Sequence, residues 1–150
     1  MFGDPLVGFF FTAVFEMFPQ NLIDIQFQSI TGLKATIETE AIAEGGQNMF
    51  KHQLPVRTAY ENLVLKRGLT TDLSGISEWC KDALENFNFK PVNVNIMLHN
   101  EFLIPVKVWR VINAIPVAYE VSEFNAEESK MVIQTMTLKY NYFKEIIVSV

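Results

Sequence analysis

The sequence predicts a mainly β fold: a small antiparallel β-barrel of two packed sheets with one α-helix against it. Three observations support this class. About seven or eight segments alternate apolar and polar residues, one segment repeats apolar residues at helical spacing, and turn signals recur at near-regular intervals. The 150 residues are 49% hydrophobic, which is enough for a core. We expect a single domain spanning residues 1–150.

The first predicted strand, Leu6 to Phe15, is apolar on both of its faces. A strand of this kind is covered on both sides, and a second subunit is one source of such cover. The next strand alternates Ile23, Ile25 and Phe27 with polar residues, and Thr31-Gly32 interrupts it.

The third predicted strand has the clearest alternation. One side of it is expected to face the core, and the other to face water or an interface. The apolar side holds Leu33, Ala35, Ile37 and Ala41, and the polar side holds Lys34, Thr36, Glu38 and Glu40. Paired glycines and a closing proline predict that Ala43–Pro55 is a long exposed loop.

A fourth strand is predicted over Arg57–Leu69. Asn62, Val64 and Lys66 lie on one of its sides, and Leu63 and Leu65 lie on the other. The Lys-Arg-Gly that follows is predicted to form the turn that ends it.

One helix is predicted in the segment "TDLSGISEWCKDALENF", with Asp72 or Ser74 as its N-cap. Its apolar residues recur at helical spacing: Leu73, Ile76, Cys80, Ala83, Leu84 and Phe87.

A hairpin follows the helix, with strands over 92–98 and 102–108 around a turn at 99–101. The segment 113–116, "NAIP", is predicted to bend the chain into a strand over 117–121. An acidic loop, "SEFNAEESK", precedes a final long strand over 132–140.

The charge argues against a nucleic-acid partner, because the net charge is -5 and the 12 basic residues are scattered. The single cysteine, Cys80, cannot form a disulfide within the chain. The apolar run near the start is shorter than the roughly 20 residues of a membrane span. We therefore expect a protein that is made and kept in a cytoplasm.

Candidate catalytic and metal-binding residues are few. His52 and His99 with one cysteine make no recognisable zinc spacing, and Gly45-Gly46 lacks the Lys-Ser/Thr of a phosphate-binding loop. Cys80 lies on the apolar side of the predicted helix, where thiols are usually inert packing. The sequence predicts no catalytic site, no metal site and no cofactor.

An ordered set of segments identifies a family resemblance. The segments are "FFFTAVF", "FQSITGLKATIETEAIAEGG", the "LP" of Leu54-Pro55, "YENLVLKRGL", "SEWC", "VNVNIML", "VWRVINAIPVAY" and "VIQTMTLKYNYF". In this order they resemble the tail-tube proteins of contractile bacteriophages and contractile injection systems. The type VI secretion tube protein is a more distant resemblance.

The resemblance implies a β-barrel with one helix, in subunits that form six-fold rings. These rings stack into a hollow tube within a contractile sheath, and members of the family have no known enzymatic activity. The implied partners are further copies of the chain, the sheath protein, baseplate or spike proteins, and a DNA or effector cargo. Assembly in a bacterial cytoplasm is implied as well. The resemblance leaves open whether the chain is the principal tube subunit or the one that starts the tube at the baseplate.

Contacts between subunits or rings are predicted in three regions of the chain. By resemblance, the loop over 43–55 reaches the neighbouring ring or subunit. Its contact residues would be Glu44, Gly45, Gly46, Gln47, Asn48, Met49, Phe50 and Lys51. Charge considerations predict that Lys51, Lys66 and Arg67 face Glu44, Glu127 or Glu128 across rings.

Exchanging Lys66 and Arg67 for Glu is predicted to leave a folded subunit that makes no tubes. The competing interpretation is a ligand-carrying barrel of the lipocalin type. An enzyme that uses Cys80 or His52 has no supporting constellation.

Overall fold

The computed structural model describes residues 10–16, 26–42, 52–69, 74–127 and 131–147. Within these ranges the chain forms nine strands and one helix, which confirms the mainly β class. The strands are β1 (Phe10–Phe15), β2 (Ser29–Thr31), β3 (Ala35–Ile42), β4 (His52–Tyr60), β5 (Leu63–Gly68), β6 (Val92–His99), β7 (Pro105–Val121), β8 (Ile133–Lys139) and β9 (Tyr142–Ile146). Helix α1 (Gly75–Asn86) lies between β5 and β6 in the chain.

The strands form two antiparallel sheets. The larger has seven strands in the order β1-β6-β7-β8-β5-β2, with β9 also paired to β7, and the smaller is the β3–β4 hairpin. Strand pairing in the described ranges does not close into a barrel, although an isolated bridge joins Thr12 to Gln26, just before β2. The predicted barrel is therefore an open one.

Strand β7 joins the two halves of the larger sheet. Its first part pairs with β6 on one edge and β9 on the other, and its last part pairs with β8. The segment 113–116 was predicted to separate two strands, but β7 runs through it. Asn113 has a left-handed φ of 54°, and register shifts lie on both sides of it, so the bend is absorbed without ending the strand.

The core lies between the two halves of the larger sheet. Buried side chains of β1 and β6, such as Phe15 and Val94, belong to the same cluster as Leu65 of β5 and Leu138 of β8. In β1, Ala13 and Phe15 are buried while Thr12 and Val14 are partly covered. The predicted cover on both faces of this strand is thus only partial within the subunit.

Helix α1 begins after the predicted N-cap Ser74, whose hydroxyl accepts a hydrogen bond from the Ser77 amide at 3.2 Å. Trp79 packs edge-on against Phe15 with ring centroids 5.6 Å apart. Its indole N–H also donates to the Lys90 carbonyl at 2.8 Å. The other candidate cap, Asp72, lies outside the described residues.

The helix buries Ile76, Trp79, Cys80 and Ala83. Leu84 and Phe87 were predicted on the same side, but they are 48% and 82% exposed. Phe87 lies after the last helical residue and has a left-handed backbone conformation, so it does not continue the buried side of α1. Helical structure in the described ranges is neither long nor apolar enough for a membrane span.

The third predicted strand is present as β3, but the prediction that one of its faces meets the core of the subunit is wrong. Every residue of β3 is exposed, and Ile37 is 61% exposed. Among the described strands, β3 pairs only with β4, so the hairpin projects from the larger sheet. The predicted loop over 43–55 is also too long at its end, since β4 begins at His52. Residues 43–51 lie outside the described ranges.

The segment Arg57–Leu69 forms parts of two strands, with Glu61 and Asn62 between β4 and β5. Its predicted alternation is confirmed, because Leu63 and Leu65 are buried while Lys66 is exposed. The Lys-Arg-Gly sequence lies inside β5, where it pairs with β8, and is not a turn.

The last predicted strand, 132–140, is present as β8, and β9 is a further strand that was not predicted from the sequence. The two strands follow one edge of β7 in succession. The described part of the acidic segment, 122–127, is not strand, as predicted. Of the second predicted strand, residues 23–25 lie outside the described ranges.

Candidate assembly surfaces

The β3–β4 hairpin has two exposed faces of different character. The register places Ile37 opposite Thr58 and Glu38 opposite Arg57. Since successive residues of a strand point to opposite faces, one face of the hairpin carries no charged residue. We call this the uncharged hairpin face; it holds Ala35, Ile37, Thr39, Ala41, Gln53, Pro55, Thr58 and Tyr60.

The opposite face carries charges that water can solvate. Arg57 Nε lies 3.3 Å from a carboxylate oxygen of Glu38, and both side chains are more than half exposed. Glu38 and Glu40 therefore lie on a polar face that is open to water, in agreement with the prediction for this side of the strand. Exposed ion pairs of this kind contribute little to stability.

The uncharged hairpin face belongs to strands that alternate as if one face were covered, but most of its residues are exposed in the part of the chain that the structure describes. Full burial of an isoleucine side chain is worth about 1.5–3 kcal/mol, and an isolated two-stranded hairpin is marginally stable in water. Its base is tied to the larger sheet through the ring of Tyr60, which packs on Phe143 at 5.3 Å and on Tyr140 at 5.9 Å. The rest of this face is available for contact with another chain.

Arg67, a predicted contact between rings, lies inside the subunit and is 4% exposed. Its guanidinium donates to the hydroxyls of Ser74 at 2.7 Å and Ser77 at 3.2 Å, and it lies 5.5 Å from the ring centre of Phe27. With the Gln134 amide oriented to match its neighbours, its oxygen accepts from Arg67 Nε at 3.1 Å. Arg67 thus joins β5 to α1 and β8 and is not placed to meet an acid of another ring.

The other predicted contact residues are differently placed. Lys66 is exposed on β5, and Glu127 is exposed in the segment after β7, so both stay predictions. The remaining predicted contact residues lie outside the described ranges: Glu44, Gly45, Gly46, Gln47, Asn48, Met49, Phe50, Lys51 and Glu128.

Cys80 and His99, two of the residues considered for catalysis or metal binding, make packing or hydrogen-bond contacts within the subunit. Burial raises the pKa of the Cys80 thiol from 9.0 to about 12, so it is held in the unreactive form. The His99 ring stacks on Phe10 at 4.9 Å, and its Nε2 lies 3.0 Å from the Thr12 hydroxyl. Among the described residues, no group of three or more His, Cys, Asp or Glu could hold a metal ion.

Several clefts open onto the surface. One of about 530 Å³ follows the outer side of α1, past Trp79 and Lys90. A groove of about 220 Å³ lies between Phe11, Leu33 and Trp109. The competing interpretation, a ligand-carrying barrel of the lipocalin type, would hold its ligand in a largely enclosed apolar interior, whereas these clefts are open to the surface.

Comparisons with a family model and with solved structures point to the same protein family. Residues 7–144 match the T4-like virus tail tube protein gp19 family. No match was found among curated proteins. A chain in the cryo-EM structure of the anti-feeding prophage (AFP) baseplate, 6-fold symmetrised, is 31% identical with a TM-score of 0.84; the alignment covers 98% of this chain and 99% of that chain.

Two less similar structures share the fold. One is a chain of the PVC sheath-tube complex, from an extracellular contractile injection system in the extended state. It is 19% identical with a TM-score of 0.82, and the alignment covers 98% of this chain and 95% of the PVC chain. The other is Hcp1 from Salmonella typhimurium, which is 11% identical with a TM-score of 0.60. The alignment covers 95% of this chain and 88% of the Hcp1 chain.

The family match spans most of the chain, and the AFP relative aligns over almost the full length of both chains. The resemblance inferred from the sequence is thereby confirmed. The chain belongs to the T4-like virus tail tube protein family.

Proposed function

We propose that the chain is a structural subunit of the inner tube of a contractile tail or injection machine. Six copies form a ring, and rings stack into a hollow tube within a sheath, for delivery of DNA or an effector. The role is mechanical and not enzymatic. Its partners are further copies, the sheath, baseplate or spike proteins, and the cargo, with assembly in the bacterial cytoplasm. The six-fold symmetrised AFP relative and the PVC sheath-tube relative support this proposal.

The observation that carries the proposal is the uncharged hairpin face. A ring needs a heterologous interface, in which one patch of each subunit meets a different patch of the next. The hairpin projects from the larger sheet and has an uncharged face with Ile37 61% exposed. A neighbouring copy that covers this face supplies the burial that the alternating sequence of β3 predicts.

The test places a charge on either face of the hairpin. Ile37→Lys puts a charge on the uncharged hairpin face, and Thr36→Lys is a matched control on the charged face. We expect rings and tubes from the wild type and from Thr36→Lys in negative-stain electron micrographs. Ile37→Lys should remain a folded monomer by light scattering and circular dichroism. A wild-type protein that stays monomeric at high concentration would contradict the proposal.

A specific observation favours a second candidate, the ring that starts the tube at the baseplate. The chain is 31% identical to a chain in the AFP baseplate but only 21% identical to one in the AFP tube-terminating cap. The purified protein distinguishes these roles. A principal subunit should elongate into long tubes, whereas a starting subunit should stop at single rings until principal subunits are added.

A further inference from the structure

Exposed apolar side chains lie just beyond both ends of β6. Before the strand, Phe87 is 82% exposed and its ring packs edge-on against that of Phe89, with centroids 4.8 Å apart. We call these two residues the aromatic tip. After the strand, the segment 102–104 exposes Phe102, Leu103 and Ile104 in succession, at 73%, 69% and 45%. We call it the apolar turn. A run of three exposed apolar residues is unusual unless it has a binding role.

The aromatic tip is held in a defined conformation. Phe87 has a left-handed φ of 52°, a conformation that costs free energy in any residue with a Cβ. Asp82 fixes it, because its carbonyl accepts from the Phe87 and Asn88 amides. The carboxylate of Asp82 also accepts from the side chains of Asn86 at 2.9 Å and Asn88 at 2.7 Å.

The apolar turn is held in a comparable way. Leu103 has a left-handed φ of 64°. The side-chain oxygen of Asn100 accepts from the amides of Phe102 at 2.9 Å and Ile104 at 3.1 Å. Strained positions that the surrounding structure fixes are concentrated at binding sites, and a rigid surface loses little entropy on binding.

The two patches lie at opposite ends of the same strand. The eight residues of β6 span roughly 25 Å, with the hydrogen bond from Trp79 to Lys90 near one end and the apolar turn at the other. Two different patches at opposite ends of one strand allow head-to-tail contact between copies. A heterologous contact of this kind repeats without closing and produces a stack.

The flanking charges match this arrangement. Lys90 follows the aromatic tip and Glu101 precedes the apolar turn, and both residues are exposed. Head-to-tail contact brings these opposite charges together, whereas contact between two like ends would bring like charges together. The partner that fits both the apolar and the charged parts is therefore a second copy of this chain.

We infer that the aromatic tip of one copy packs on the apolar turn of a copy in the adjacent ring, with Lys90 facing Glu101. The inference rests on the proposed function, because it names the surfaces through which the rings stack. The contact within a ring through the hairpin is a separate surface.

A charge-exchange experiment tests the contact. Lys90→Glu and Glu101→Lys are made singly and together, and tube length is measured by electron microscopy at low ionic strength. Each single variant should form rings but about tenfold fewer stacked rings, because weak pairs repeated around a ring junction act together. The double variant should restore stacking. Tubes of normal length in both single variants would overturn the inference.

A glycine variant separates docking from folding. Leu103→Gly removes both the exposed side chain and the left-handed strain, so we expect a higher Tm together with fewer stacked rings. A residue with only a structural role would not change these two measurements in opposite directions, and undiminished stacking would count against the contact. Wild-type protein that makes single rings but never stacks on itself would overturn this inference and favour the starting-ring role, while ring formation itself would stand. Wild-type protein that makes no rings would overturn the proposed function itself.

Discussion

Arg67 shows how a single basic side chain can join separate parts of the subunit. It is buried, and its guanidinium bonds to Ser74 at the start of α1 and contacts Gln134 of β8. Replacing it with Met would leave these polar groups without their partner in a buried site. We expect Arg67→Met to lower the free energy of unfolding by about 1–3 kcal/mol, measured by urea denaturation.

The neighbouring Lys66 provides the matched control for this variant. Its side chain is exposed on the other side of β5, so Lys66→Met should change stability by no more than about 0.5 kcal/mol. It follows that exchanging both residues for Glu should unfold the subunit and not merely prevent assembly. Equal stability of the two single variants would contradict this account of Arg67.

The Cys80 thiol gives a pH dependence with a definite sign. Its pKa is raised by burial from 9.0 to about 12. Between these values the unfolded chain loses a proton that the folded chain keeps, so stability falls as the pH rises. The free energy of unfolding of the wild type should fall by about 1 kcal/mol between pH 8 and pH 10 because of this thiol, and Cys80→Ala should lack this part of the decrease. Urea denaturation at the two pH values measures the difference. Tyr140, whose pKa burial also raises to about 12, contributes equally to both proteins.

The position of the β3–β4 hairpin depends on a glycine at its base. Gly32 has a φ of 103°, and a Cβ there would lie 1.9 Å from the Asn62 carbonyl oxygen. Gly32→Ala must therefore move the backbone at the hairpin base, and we expect a loss of at least about 1–2 kcal/mol in stability, with impaired ring formation. Denaturant midpoints and light scattering measure the two effects.

Gly68→Ala is the control for this substitution. The added Cβ would approach the Sδ of Met131 at 2.7 Å, but Met131 is flexible and 66% exposed, so it can move at little cost. We expect Gly68→Ala to remain close to the wild type in both measurements. A Gly32→Ala protein as stable and as assembly-competent as Gly68→Ala would show that the hairpin base is not constrained.

The elements that the sequence predicts well are those whose signals are local. Helix α1 follows from its period and its Ser74 cap, and the alternation in β5 follows from Leu63 and Leu65. The same alternation places Arg67 on the buried side, a signal that its charge obscured. The pattern of β3 correctly predicts a strand, but its periodicity does not specify whether the apolar face meets the core of the subunit.

The surfaces at the two ends of β6 could not be predicted in the same way. Phe87 continues the helical period of α1 and Phe102 continues a strand alternation, so both look like core residues in the sequence. Their exposure follows from where the helix and the strand end, which depends on the left-handed conformations at Phe87 and Leu103. Backbone conformation of this kind in residues other than glycine has little sequence signature.

The assembled tube must overcome the charge of its subunits. Each chain carries a net charge of -5, so rings that stack would repel one another, while the apolar contacts inferred between them do not depend on charge pairing. Raising the ionic strength from 0.1 M to 1 M shortens the screening length from about 10 Å to about 3 Å. It also weakens exposed pairs such as Lys90–Glu101, but these are worth only about 0–1 kcal/mol each.

Repulsion summed over whole rings should therefore outweigh the lost pairs, and we expect more and longer tubes at 1 M NaCl than at 0.1 M. Turbidity and electron microscopy at a fixed protein concentration measure this. The Ile37→Lys protein is the control, because without rings it should respond little to salt. If instead tubes dissolve as salt is added, the contacts between rings are mainly ionic, and the apolar surfaces at the ends of β6 are not what holds them together.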